Sequence, residues 1–250
     1  SCCIITPQKK AVLIDGGGSS RNGDYYYDVG GKITFPTLLH QGIWSIDTVI
    51  VSHLHDDHME GLLKVMEGYK IKNIILPRVS AGTDEISGSS GALLDICRNK
   101  GIKIHRLGSG DQINLGGGVK IDFLHPGKAA KADENENSLV GVLYYGDFSA
   151  LFTGDIGKET EGLLQAEALK SVVMKVPHHG SGRSSSKEFL EKVRPRVSVI
   201  SVGSNNYGHP SPDTLKRLAG IGSLVYRTDG NGGVTIITDG ESMKVKTVKQ

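Results

Sequence analysis

The sequence predicts an α/β fold in which two mixed β-sheets lie face to face with helices outside. Three observations lead there. Short apolar runs, rich in β-branched residues and bounded by Gly, Pro, Asn or Asp, recur along the whole chain. Amphipathic stretches of helical period lie between some of these runs without strict alternation, which points to mixed sheets. Both halves carry strands and then helices, the order expected when each half builds a sheet and covers it.

The elements follow in order. The opening "SCCIITPQKKAVLIDGG" reads as two strands joined by a Pro-bearing turn, entered in midstream. A helix is expected over 28–41, a buried strand in "DTVIVS" and a helix over 59–68. "NIILP" is a strand and 89–100 a helix, followed by strands in "KIHRL", "VKIDFL", "SLVGVLYY" and "SALFTGD". A helix over 158–169 leads to a strand in "VVMKVP". The helix over 185–194 starts with Ser185 and Glu188 in capping-box spacing. After "VSVISV", Ser211 and Pro212 suit an N-cap with proline at the first position of a helix over 211–220. "SLVYRT" and "GVTIIT" are the last strands expected, and 78–91 and 127–137 are the most loop-like segments. Tyr25, Tyr26 and Tyr27 are read as half-buried surface residues. His40, His105 and His125 carry no motif and are read as surface or core histidines.

The 250 residues suit one domain over 1–250, and the midstream opening suggests a domain excised from a longer chain. With 38% apolar and 22% charged residues, the composition is that of an ordinary globular protein. The 29 Lys and Arg nearly balance the 27 Asp and Glu, so net charge alone does not announce a nucleic-acid partner. Cys2, Cys3 and Cys97 have no metal-type spacing and read as buried or free thiols. No apolar run is long enough to span a membrane.

The stretch "VIVSHLHDDHMEGL" concentrates the chemistry. Three histidines and two aspartates occupy six positions on the loop after a buried strand. His53 and His55 stand two apart and can chelate one ion, while Asp57 and His58 turn toward a second. Imidazole and carboxylate are the ligands of zinc, manganese or iron. By chance, H-x-H-x-D-H should arise in fewer than roughly one in a thousand chains of this composition.

Together with Asp15-Gly16-Gly17 upstream and Gly154-Asp155 after a later strand, this motif resembles the metallo-β-lactamase fold, an αβ/βα four-layer sandwich. The resemblance covers essentially the whole chain. It implies two divalent ions, Zn2+ or Mn2+. His53 and His55 hold one, Asp57 and His58 the other, with Asp155 bridging and His179 as the last ligand. His178, its neighbour, takes a catalytic or substrate-facing role, and Asp15 is structural. The family often supplies a further histidine between the motif and Gly-Asp. Here Asn137 stands in the matching stretch, with an amide oxygen toward metal or substrate, which would weaken the first site for zinc and favour manganese.

Beyond the fold, "VPHHGSGRSSSKEFLEKVRPRVSVISVGSNNYGHPSPDTLKRL" looks like the metallo-β-lactamase domain of ComEC-type competence proteins. That resemblance implies a nuclease acting during DNA uptake, either free-standing or within a membrane-protein parent that carries this domain outside the cytoplasm. The residues suit phosphodiester cleavage. Two metals can clamp a phosphate and turn water into hydroxide near neutral pH. Asp57 can orient that water and take its proton, and His209 can protonate the leaving oxygen. Arg183, Ser184 and Ser185 offer a cation and a helix N-terminus to phosphate. Lys187, Lys192, Arg194 and Arg196 either follow the nucleic-acid backbone or are solvated surface charges. Aromatic content of 6% offers no obvious base-stacking platform, so DNA contacts are expected to be backbone-driven and sequence-blind. Two other classes compete: a hydrolase of small or cell-surface substrates (a phosphorylcholine esterase or a lactonase), and a nucleic-acid-binding module with a relic metal site.

Overall fold

The computed structural model describes residues 1–22, 25–80 and 88–249. The side chains of Tyr25 and Tyr26 and the middle of the loop expected over 78–91 lie outside that description. The chain divides into two compact units.

The first unit comprises Ser1–Leu107 and Pro126–Asn137. Strand β1 (Cys2–Ile5) pairs antiparallel with β2 (Ala11–Ile14) across the Pro-bearing turn. A hairpin of β3 (Ser19–Asn22) and β4 (Tyr25–Asp28) follows. The helix expected over 28–41 is a π-helical turn, Gly30–Thr34, running into α1 (Phe35–His40). Strand β5 (Ser45–Ile50), helix α2 (Asp56–Gly68), β6 (Lys70–Pro77), α3 (Gly88–Lys100) and β7 (Lys103–Leu107) complete the unit. Among the described residues the sheet order is β1-β2-β5-β6-β7, parallel from β2 onward. Parallel strands need a crossover between them; α1 lies in the one from β2 to β5, and α2 and α3 in the two that follow. Burial on both faces explains why β2, β5 and β6 read as near-continuous apolar runs. Leu13, Val49 and Ile74 pack with Met59, Leu62, Val65 and Met66, which recur at helical spacing along one face of α2.

The second unit comprises Gly108–His125 and Ser138–Gln250. Strands β8 (Gln112–Gly116), β9 (Val119–His125), β10 (Val140–Tyr145) and β11 (Phe148–Phe152) form an antiparallel meander. Helices α4 (Lys158–Leu163) and α5 (Ala166–Leu169) replace the single helix expected over 158–169, because Leu164 and Gln165 are extended. Then β12 (Val173–Lys175), α6 (Lys187–Val193), β13 (Val197–Ile200), α7 (Pro212–Gly220) and β14 (Leu224–Arg227) continue the sheet in parallel. The described strands lie in the order β14-β13-β12-β11-β10-β9-β8, a mixed sheet. Helix α8 (Thr228–Asn231) leads into a separate ribbon of β15 (Val234–Thr238) and β16 (Met243–Thr247). Val140, Leu151, Met174, Phe189, Leu190 and Leu218 are among the core residues of this unit.

Caps show how local chemistry sets these boundaries. Ser211 caps α7, its Oγ accepting from Asp213 N, with Pro212 at the first position. The cap of α6 is Ser186, whose Oγ accepts from Phe189 N at 3.2 Å. The expected capping box of Ser185 with Glu188 does not form, because Ser185 turns into the left-handed region, at φ 57°. Among the described residues no helix is long and apolar enough to cross a membrane.

Candidate metal centre

In the first unit, candidate ligands gather at the end of β5. The sequence reading placed the whole "HLHDDH" stretch on a loop, but α2 starts at Asp56. Carboxylates are favoured in a first helical turn, and Asp56 and Asp57 both sit there. His53 and His55 therefore come from the loop, and Asp57 and His58 from the helix. His53, His55 and Asp57 each offer one ligand atom, and these lie within 4.8 Å of one another. His53 is fully buried, whereas His55 and Asp57 are exposed.

Asp15 organises this cluster from the end of β2. Its backbone is left-handed, at φ 58°, an uncommon state for a non-glycine residue and one that concentrates at functional sites. Asp15 Oδ1 accepts from Ser52 N at 2.7 Å, and Oδ2 accepts from Ser52 Oγ and His58 Nδ1, both at 2.8 Å. A His58 that donates from Nδ1 keeps the lone pair of Nε2 for a cation, the usual device for orienting a metal-binding imidazole. That Nε2 is 3.7 Å from Asp57 Oδ2. The glycines after Asp15 let the loop press onto α2. A Cβ on Gly16 would fall 2.6 Å from Gly61 C, and one on Gly18 2.6 Å from Asp57 Cα.

Sequence reasoning missed Ser52 and Glu134. Ser52 Oγ is 3.1 Å from both His53 Nδ1 and His58 Nδ1. Its signal was its place directly before the motif. Glu134 Oε1 accepts from Leu54 N at 3.1 Å, between the two loop histidines. Nothing in the sequence marks that long-range contact. Asn137 is a correction. It is fully buried, Oδ1 accepts from Lys131 N at 2.8 Å, and Nδ2 donates to Lys131 O at 2.9 Å. Its amide clasps its own loop, so the expected substrate- or metal-facing role gives way to a structural one.

The second unit carries its own candidate ligands. Asp155 follows β11, is buried, and donates its backbone N–H to Ser138 Oγ at 3.0 Å. His178 and His179 follow β12 with consecutive left-handed backbones, at φ 50° and 52°. His179 Nδ1 donates to Ser201 O at 2.8 Å, which leaves Nε2 as a ligand nitrogen 3.4 Å from Asp155 Oδ2. The His178 ring centroid is 5.8 Å from that of His209. His209 Nδ1 is buried without a hydrogen-bond partner among the described residues. Burial, then the neighbouring His178 and His179, hold the His209 pKa below its usual value, with Asp155 opposing.

The helix start expected to receive phosphate is already filled. Ser185 N and Ser186 N donate to the two carboxylate oxygens of buried Glu161. Arg217 holds the same turn from its carbonyl side, donating from Nε to Ser185 O at 2.7 Å and from Nη2 to Ser184 O at 3.1 Å. Ser184 and Ser185 are fully buried, so neither meets substrate as expected. Arg183 beside them is exposed. Burial pushes the Glu161 carboxyl above its usual value, outweighing the Ser185 and Ser186 donors. Of the later cations, Lys187 lies 3.8 Å from Glu191, Lys192 donates to Leu164 O and Arg194 to Glu191 O. These local ties match solvated surface charges.

Imidazole nitrogens and carboxylate oxygens are the donor set a divalent transition metal takes, and His53, His55 and Asp57, beside a His58 oriented by Asp15, fit such an ion. The chain belongs to the metallo-β-lactamase superfamily, whose profile it matches over residues 1–204. Over 219 residues it is 31% identical to ComE operon protein 3 of Bacillus subtilis (strain 168), covering 86% of this chain and 27% of that protein. Over 121 residues it is 36% identical to competence protein ComA of Neisseria gonorrhoeae, covering 47% of this chain and 18% of that protein. The chain thus spans about a quarter or less of the length of these relatives. Among solved structures, an E377D mutant of the β-hydroxylase CmlA shares the fold, with a TM-score of 0.56 at 14% identity over 88% of this chain and 49% of that one.

Proposed function

We propose that this metallo-β-lactamase-superfamily chain is a metal-dependent phosphodiesterase that degrades DNA. The observation that supports the reading best is the preorganised donor loop: His53, His55 and Asp57 converge within 4.8 Å while Asp15 fixes the His58 ring. The relative named for competence supports DNA as the substrate.

In this reading His53 and His55 would hold one divalent ion, zinc or manganese, and Asp57 and His58 a second, with Asp155 and His179 as the remaining candidate ligands. Such ions supply Lewis acidity toward a phosphodiester and acidify water. Asp57, with its side chain 61% exposed, takes the proton of the attacking water. His209 gives a proton to the leaving oxygen, and His178 and Arg183 face the substrate. The resemblance to ComEC-type proteins supports reading the chain as one domain of a larger membrane protein, placed outside the cytoplasm.

The test is hydrolysis of single- and double-stranded DNA by metal-stripped protein, with manganese, zinc and magnesium restored one at a time. Cleavage that returns with metal and is absent in Asp57→Ala supports the reading. Turnover of a small phosphodiester with intact DNA would replace it with a small-substrate hydrolase.

A further inference from the structure

The loop between β13 and α7 carries a feature that the cleavage chemistry leaves unused. Tyr207 is 83% exposed, an unusual position for a large aromatic ring in an ordered loop. Its ring lies over His209, with centroids 6.1 Å apart and planes inclined by 27°. The loop is closed by one side chain. Asn205 Oδ1 accepts from Tyr207 N at 3.1 Å and from His209 N at 3.0 Å. Asn205 Nδ2 donates to Gly203 O at 2.9 Å and to His209 O at 2.8 Å. Those four bonds fix the backbone on both sides of Tyr207, so little ordering entropy remains to be lost when a ligand meets the ring.

We infer that Tyr207 is a stacking platform for one unpaired nucleobase, with His209 as the ring beneath it. This deepens the proposed function and rests on it for the identity of the strand. The chemistry is that of base–aromatic stacking, which tolerates any base because every base has a π-face. A base on Tyr207 extends an existing stack of two rings and sets its phosphate beside His209 and His178. A paired base in a duplex cannot offer that face without leaving its partner, so the platform selects single-stranded nucleic acid. Backbone contacts alone do not make that selection.

The test is fluorescence-anisotropy binding of a short thymidine oligomer and of the same oligomer with abasic sites, without added metal so that nothing is cleaved. Wild-type protein is expected to prefer the base-bearing strand by roughly tenfold, the range of one aromatic stack. Tyr207→Ala brings the two affinities together, while Tyr207→Phe keeps them apart. The slope of log affinity against log salt stays the same in all three proteins, because stacking releases no counterions. A uridine oligomer and a duplex serve as further arms. Binding of uridine equal to thymidine assigns the platform to unpaired bases of either nucleic acid, and a duplex bound as tightly as the single strand overturns it. A preference that survives Tyr207→Ala also overturns it, as does no preference in the wild type. Metal-dependent DNA hydrolysis is scored separately. Base preference without hydrolysis sinks the nuclease reading and keeps the platform, whereas hydrolysis without base preference does the reverse.

Discussion

Asp15 and Asp57 are separated by a helix start and differ in what they do for the centre. Asp57 is exposed and faces solvent, so Asp57→Ala is expected to leave the fold intact and lower metal-dependent hydrolysis at least about a hundredfold, the lower range for losing a general base. Circular dichroism and a DNA-cleavage time course check both halves of that statement. Asp15 is buried and acts through His58 and Ser52. Asp15→Asn removes the charged acceptor and lets the His58 tautomer change, so zinc affinity should fall about 10- to 100-fold by calorimetric titration. Asp57 was legible in the sequence because four titratable residues beside it repeat a recognisable spacing. Asp15 was legible as structural because it sits in a Gly-rich turn. Ser52 and Glu134 were not, since one is a serine among apolar neighbours and the other reaches Leu54 from 80 residues away.

At the scale of elements, the turn into α6 departs most from the sequence reading. A run of serines before a helix suggests an open anion site, but only the folded chain shows Glu161 from α4 filling it. Glu161→Ala leaves two largely buried amides without an acceptor and should cost about 3 kcal/mol in a urea titration, at roughly 1–3 kcal/mol per orphaned group. The sign of its pH dependence follows from the upward shift. The folded protein holds this proton more tightly than the unfolded chain does. The contribution of Glu161 is therefore fully present below the unfolded value of 4.5 and is lost as pH rises through the shifted one. Glu161→Gln, which carries no charge, should flatten that decline in thermal melts across the same interval. The strands that sequence reasoning overlooked have a common cause. β3 with β4, β8 and β16 are polar or lysine-rich and present little continuous apolar pattern, so backbone pairing alone reveals them. The parallel strands β2, β5 and β6 were legible because their buried stretches, such as Ala11–Ile14 and Ile74–Leu76, are apolar.

For the whole molecule, two bulk measurements bear on the reading. Chelation should lower the melting temperature, because a ligand that binds only the folded state stabilises it by mass action; a scan with and without EDTA, followed by manganese or zinc, reads this directly. If DNA is the substrate, affinity should fall linearly with log salt and change little with sequence, since backbone contacts release counterions and stacking on Tyr207 accepts any base. The fold class was legible at this scale because alternation, apolar runs and caps agree along most of the chain. The division into two units was not, since the first unit takes up the chain again at Pro126–Asn137, and local sequence does not tell which unit a returning loop joins.

The Glu161 carboxylate has a pharmacological consequence. A cradle whose tenant is covalently part of the chain cannot be emptied by dialysis or competed away by phosphate and sulfate buffers. Phosphate-mimicking inhibitors would gain nothing by reaching toward the Ser184–Ser186 turn.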